Sequence, residues 1–127
     1  MSFEIINPES LGQPSGWNNG MLGPAGGRVL FVAGQAAPTA GDLVAQWEAA
    51  LQRVLAVVRA AGGGPQDIGR MMVYVTDRAA YLASLRSLGE IHRRHLGRHY
   101  PAMALVEVRG LVDPNALVEM EATAVLP

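Results

Sequence analysis

Leu117-Val118-Glu119-Met120-Glu121-Ala122-Thr123-Ala124-Val125 is the stretch from which the fold can be read. Successive side chains of a strand point to opposite faces. Val118, Met120, Ala122 and Ala124 therefore share one face, and Glu119, Glu121 and Thr123 share the other. The turn Val112-Asp113-Pro114-Asn115 joins it to a second strand pattern over Ala102 to Arg109. There Ala102, Ala104, Val106 and Val108 alternate with Met103, Leu105, Glu107 and Arg109.

Further upstream the period changes. Leu43, Trp47, Ala50, Leu51, Val54 and Val58 recur at helical spacing behind Asp42, a suitable N-cap, and Gly62-Gly63-Gly64-Pro65 stops that helix. Ile68 to Thr76 reads as a strand rich in β-branched residues. Asp77 opens a second helix that carries Tyr81, Leu82, Leu85, Leu88, Ile91 and His92 on one side and ends near Gly97. Arg28 to Ala33 is a continuous apolar run between glycines, the pattern of a strand covered on both faces. Phe3 to Ile6 reads as an edge strand. The Gly- and Pro-rich stretch from residue 7 to 20 reads as a surface loop, or as a segment held by something outside the core. The order is strands, helix, strand, helix, two strands: an α+β domain over residues 1–127, with two helices on one face of a mixed sheet. The other face would carry large apolar residues beside carboxylates, and burying it against further copies of the chain predicts a homo-oligomer.

Composition narrows the chemistry. The 127 residues contain no Cys and no Lys. Disulfides, thiolate chemistry, Schiff-base lysines and a phosphate-binding P-loop are thereby excluded. Ten Arg against eleven acidic residues leave a formal charge of −1, too little positive field to hold nucleic acid by itself. No apolar run approaches the roughly 18 residues of a membrane span, and Met1-Ser2-Phe3-Glu4-Ile5-Ile6 has no basic leader. A soluble, cytoplasmic domain is expected.

Three groups could carry chemistry. Glu119 and Glu121 project the same way, roughly 7 Å apart along the strand. One could act as general base, or both could form a solvated face or ion pairs with Arg109 or Arg28. His92, His95 and His99 have the spacing of a metal face, yet Arg93, Arg94 and Arg98 between them oppose a dication, so no metal site is expected. The same Arg/His cluster suits a solvated helix end that complements the helix dipole. The glycine runs at 23–27 and 62–64 do not precede helices, so neither forms a phosphate cradle.

Several blocks together resemble the RidA/YjgF family: Val32-Ala33-Gly34-Gln35, Gln46 with its helix to Ala60-Ala61-Gly62, and Val73-Tyr74-Val75-Thr76-Asp77. Tyr100-Pro101-Ala102, Leu105-Val106-Glu107-Val108 and Leu117-Val118-Glu119-Met120-Glu121-Ala122 complete the set, in order over nearly the whole chain. The resemblance implies a chorismate-mutase-like fold and a homotrimer with a central barrel, whose small-molecule clefts lie between subunits. It also implies hydrolysis of reactive imines and enamines to keto acid and ammonia, without metal or cofactor. By the same resemblance, Glu119 matches the glutamate beside the attacking water and Leu105 the residue whose backbone carbonyl helps hold it. Trp17 stands where active members often have Tyr, and Gly34 where a glycine lets ligand approach the backbone. Met103 stands where the imine-hydrolysing members carry the Arg that clamps the substrate carboxylate, and Leu85 where they often carry Asn.

A thioether cannot replace the bidentate contact of a guanidinium. The expected substrate is therefore larger and less polar than 2-aminoacrylate, with Arg28 or Arg86 as possible substitute cations. The alternative is a non-catalytic, small-molecule-binding or regulatory trimer of the same family.

Overall fold

A computed structural model describes residues 3–127; Met1 and Ser2 of the N-terminal stretch lie outside the described residues. Strand β1 (Glu4–Ile6) pairs antiparallel with β2 (Gly20–Leu22) as a separate two-stranded ladder. The main sheet contains β3 (Arg28–Ala36), β4 (Ile68–Val75), β5 (Ala102–Glu107) and β6 (Val118–Leu126) in the order β3-β6-β4-β5. β6 runs antiparallel to both neighbours, while β4 and β5 are parallel. Helices α1 (Leu43–Ala60), α2 (Arg78–Ala83) and α3 (Leu85–Leu96) complete the α+β arrangement.

The alternation in the last strand is realised residue by residue. Val118, Met120, Ala122 and Ala124 are buried, with Leu51, Val54, Leu55 and Val58 of α1 in the same core. Asp42 caps α1, its Oδ1 accepting from the Ala45 amide at 3.0 Å, and Asp77 caps α2 through the Ala80 amide at 3.1 Å. Gln46 is a polar side chain buried beside this core. Its Nε2 donates to the carbonyls of Gly41 (2.9 Å) and Asn115 (3.2 Å), and its Oε1 accepts from the Leu117 amide at 2.8 Å. One buried side chain thus ties the start of α1 to the entrance of β6.

Four sequence expectations are corrected. The second helix is two, because at Ser84 the backbone leaves helical geometry and its hydroxyl donates to the Ala80 carbonyl at 2.8 Å; such back-bonding competes with the helical ladder. Leu82, expected on the packed side of that helix, is exposed. The stretch between residues 7 and 20 ends in a strand, β2, that apolar periodicity over three residues is too short to reveal. The run Arg28–Ala33 is covered on one face only: Val32 is buried, whereas Val29 is 55% and Phe31 80% exposed. β3 lies at the sheet edge, and α1 reaches one of its faces.

Candidate functional site

The candidate residues divide between the two sides of the sheet. On the helical side, β5, α2, α3 and the loop containing Trp17 enclose a cleft of about 610 Å³. Trp17, Leu85, Met103 and Leu105, four of the six predicted residues, line it together with Trp47, Tyr81 and Met120. Met103 and Leu105 reach it because they pair in register with Met71 and Val73 of β4, whose side chains face the core. Trp47 and Tyr81 stack with ring centroids 5.8 Å apart, joining α1 to α2 beside the cleft.

The loop over the cleft is tied down by asparagines. The Asn18 amide group donates to the Tyr100 carbonyl at 2.7 Å, and its backbone N–H donates to the Pro101 carbonyl at 3.3 Å. Asn7 Nδ2 donates to Asn18 Oδ1 at 2.8 Å, and the Asn19 amide donates to Asn7 Oδ1 at 2.7 Å. Trp17 is held next to this anchor, against the segment that leads into β5.

Glu119 and Gly34 lie on the opposite, open face of the sheet. A Cβ built at Gly34 would stand 2.7 Å from Glu119 Oε2, so the glycine makes the space that the carboxylate occupies. Glu121, two residues on, accepts from the Tyr74 hydroxyl at 3.0 Å. That hydrogen bond, with further contributions from burial and the neighbouring carboxylates, raises the Tyr74 pKa above the ordinary phenol value. Among the described residues neither glutamate has an Arg nitrogen within 4.0 Å, so the ion pairs with Arg28 or Arg109 do not form. Within one chain, Glu119 and the cleft residues are on different sides of the sheet.

The two substitute cations are elsewhere. Arg28 opens β3, in register with Leu126 at the sheet edge. Arg86 is solvent-exposed and 3.9 Å from Glu90. The cleft holds instead His92, expected on the apolar side of the second helix as well as in the Arg/His cluster, and Arg93, expected only in a basic helix end. Their signal was present: Leu85, Leu88, Gly89, His92, Arg93 and Leu96 form one helical stripe, and all six line the cleft.

The three histidines point to separate partners. His92 Nε2 lies 2.8 Å from the His99 carbonyl, His95 Nε2 2.7 Å from Glu48 Oε2, and His99 Nε2 2.6 Å from the Ile68 carbonyl. No cluster of three metal-ligating side chains occurs among the described residues.

Two of these contacts set a pH dependence. Burial, the largest influence, pushes the His92 pKa below the ordinary value of 6.5. The hydrogen bond from His95, opposed by desolvation and assisted by Arg94, lowers the Glu48 pKa. Both folded values lie below the unfolded ones. Their contributions to stability are therefore complete above the unfolded values and are lost as pH falls through the folded values. Thermal midpoints are expected to begin falling below about pH 6.5 and to fall again below about pH 4.3. His92→Phe should remove the first decline and Glu48→Gln the second; declines unchanged in these variants would contradict the assignments.

Comparison with known proteins agrees with this architecture. A profile of the family described as endoribonuclease L-PSP matches residues 15–126. The chain is 34% identical to the Yersinia pestis protein of unknown function YyfB, of the conserved Rid protein family. That structure superposes with a TM-score of 0.84 over 99% of this chain and 100% of the other. It is 27% identical to Escherichia coli TdcF, solved with bound serine, at a TM-score of 0.66 over 100% of this chain and 98% of the other. A RutC family protein of Pyrococcus abyssi is 29% identical over 98% of each chain. No helix among the described residues is long and apolar enough to cross a membrane. With the profile matching residues 15–126 and the fold superposing over nearly the whole chain, this protein belongs to the RidA/YjgF, or endoribonuclease L-PSP, family.

Proposed function

We propose that the chain is a single-domain, cytoplasmic, cofactor-free hydrolase of imines or enamines, working as a homotrimer with a central barrel. In this reading the cleft of one copy is completed by Glu119 of the next. The observation that carries it is the open sheet face, where Glu119 sits in the space left by Gly34 and, further along β3 at the level of Thr123 and Val125, Phe31 and Val29 are exposed. Apolar side chains on such a face favour burial against another subunit. A head-to-tail contact that closes as a ring would set the free edge of β5 against that face of its neighbour.

The chemistry follows from the groups so assembled. The Glu119 carboxylate and the Leu105 backbone carbonyl orient a water against the C=N carbon. Glu119 accepts a proton as the C–O bond forms and the electron pair moves to nitrogen. Return of that proton to nitrogen gives the carbinolamine, and transfer of its hydroxyl proton to nitrogen through the same carboxylate then lets C=O form as C–N breaks, releasing ammonia and the keto product. An enamine enters the same path after protonation at carbon. TdcF, with its bound serine, shows a relative accommodating a small amino acid. Here Met103 and Leu85 make the cleft more apolar, which favours a substrate larger than 2-aminoacrylate. Gly34 and Trp17 shape the approach to that substrate.

That same apolar lining favours the second reading, a binding or regulatory trimer without turnover. RNA cleavage, suggested by the family description, finds no support in a chain of formal charge −1.

The test is keto-acid release from 2-iminopropionate and from bulky apolar imino acids generated in situ, with wild type and Met103→Arg in parallel. Wild type is expected to accelerate release from the bulky substrates. Met103→Arg should gain about ten- to a few-hundredfold on 2-iminopropionate, the worth of a charge-assisted clamp. Release at the buffer rate from every substrate by wild type would contradict the hydrolase reading and leave the binding module.

A further inference from the structure

The cleft is apolar over most of its wall, yet its polar groups are not randomly placed. Among the described residues no carboxylate lines it. Arg93, the one Arg among the described residues that line it, has no acidic partner within 4.0 Å among those residues, whereas Arg86 and Arg94 on the same helix are each paired with a glutamate. Arg93 Nη1 lies 3.7 Å from where a Cβ of Gly89 would be, so the guanidinium folds back along α3 over a residue without a side chain. Gly89 lines the cleft too, which places the guanidinium along its wall.

His92 stands beside it on the same stripe. Its ring stacks on Tyr100, with centroids 4.7 Å apart and planes 7° from parallel. Its Nε2 faces the His99 carbonyl at 2.8 Å, and a carbonyl can only accept. Nε2 therefore carries the proton. In the neutral ring Nδ1 keeps its lone pair as an acceptor, fixed in direction by the stacking and the hydrogen bond.

We infer that Arg93 is the anion anchor of this cleft, and that its ligand is a small carboxylate with a bulky apolar or aromatic body. The body packs among Trp17, Leu85, Met103 and Leu105, and the carboxylate pairs with the guanidinium, while His92 accepts from an N–H or O–H on the carbon next to it. The inference deepens the hydrolase reading, because an α-imino or enamine acid with an aromatic or branched side chain has this shape. It does not require turnover, since the binding-module reading would use the same anchor.

The probe is 3-phenylpropionate, which has the apolar body and the carboxylate but no C=N bond, titrated by calorimetry into the assembled protein. Its neutral isostere 3-phenylpropanamide and the short carboxylate acetate are the comparisons. Wild type is expected to bind the acid about ten- to a hundredfold more tightly than the amide, and acetate weakest of all. Arg93→Gln should erase the preference for acid over amide, while Arg86→Gln, which removes an equal charge from the same helix, should leave it intact. Equal binding of acid and amide, equal effects of the two Arg variants, or no binding of the acid would each overturn the inference. The hydrolase reading fails separately. Acid binding through Arg93 with no keto-acid release leaves the anchor standing. Release that Arg93→Gln leaves unaltered removes the anchor and keeps the hydrolase.

Discussion

Replacing Glu119 by Gln is expected to lower hydrolysis of a C=N substrate by about 10²- to 10⁴-fold, with no change in the mass of the assembly. Glutamine has the shape of glutamate, so it fills the space at Gly34 that a Cβ would enter. What it lacks is the negative charge that polarises water and takes its proton. Removing that charge also removes a like-charge neighbour of Glu121, which stays bonded to the Tyr74 hydroxyl. Folding stability should therefore hold or rise slightly, and a loss of turnover cannot be assigned to unfolding. Full wild-type turnover in Glu119→Gln would sink the catalytic assignment, whatever the rest of the cleft binds.

The largest effect on stability is expected at Gln46, not at an apolar residue. Leucine there would match the side chain in size and strand three backbone groups at once: the Leu117 amide and the carbonyls of Gly41 and Asn115. Each buried group left without a partner costs about 1–3 kcal/mol. A total near 3 kcal/mol, allowing for partial access of water, lowers the thermal midpoint of a chain this size by about 10–15 °C. Gln46→Glu distinguishes the causes. It keeps the acceptor for Leu117 but loses both donors, so it should fall well below wild type as well. A midpoint within 2–3 °C of wild type in Gln46→Leu, on the same scale, would show that this clamp is not a principal tie between α1 and β6.

The fold was legible where the pattern was long. The nine-residue β6 alternates without a break, and the 18-residue α1 carries a full apolar stripe behind an Asp cap. Short or interrupted elements were not. Three residues of β2 cannot establish a period, and Ser84 breaks a helix whose apolar spacing runs on through the break. Coverage of β3 on both faces was misread because a continuous apolar run looks alike whether its second face meets a helix or another molecule.

The site was legible in part for the same kind of reason. Trp17, Leu85, Met103 and Leu105, named by the family resemblance, come together in the cleft: Leu85, Met103 and Leu105 through helix and strand periods, and Trp17 through the loop that Asn18 anchors. Arg93 escaped because its charge dominated its reading, although its spacing from Leu85 and Gly89 is that of one helix face; His92 was read on that side of the helix, but not as part of the cleft. No pattern within a single strand reveals that Glu119 and Met103 face opposite sides of the same sheet. That fact depends on the register of β6 and β5 on β4.

This separation makes the shared site the claim to test, and subunit complementation tests it most directly. Glu119→Gln supplies an intact cleft without the carboxylate; Leu85→Trp supplies the carboxylate with a filled cleft. The measurement is keto-acid release from a bulky apolar imino acid, with each variant alone and with the two co-expressed in equal amounts as mixed assemblies. Each alone should be inactive. In random mixed rings, roughly one site in four pairs an open cleft with a neighbour's Glu119, so activity should return to about a quarter of wild type. Mixed assemblies as inactive as either variant alone would contradict a catalytic site shared between subunits.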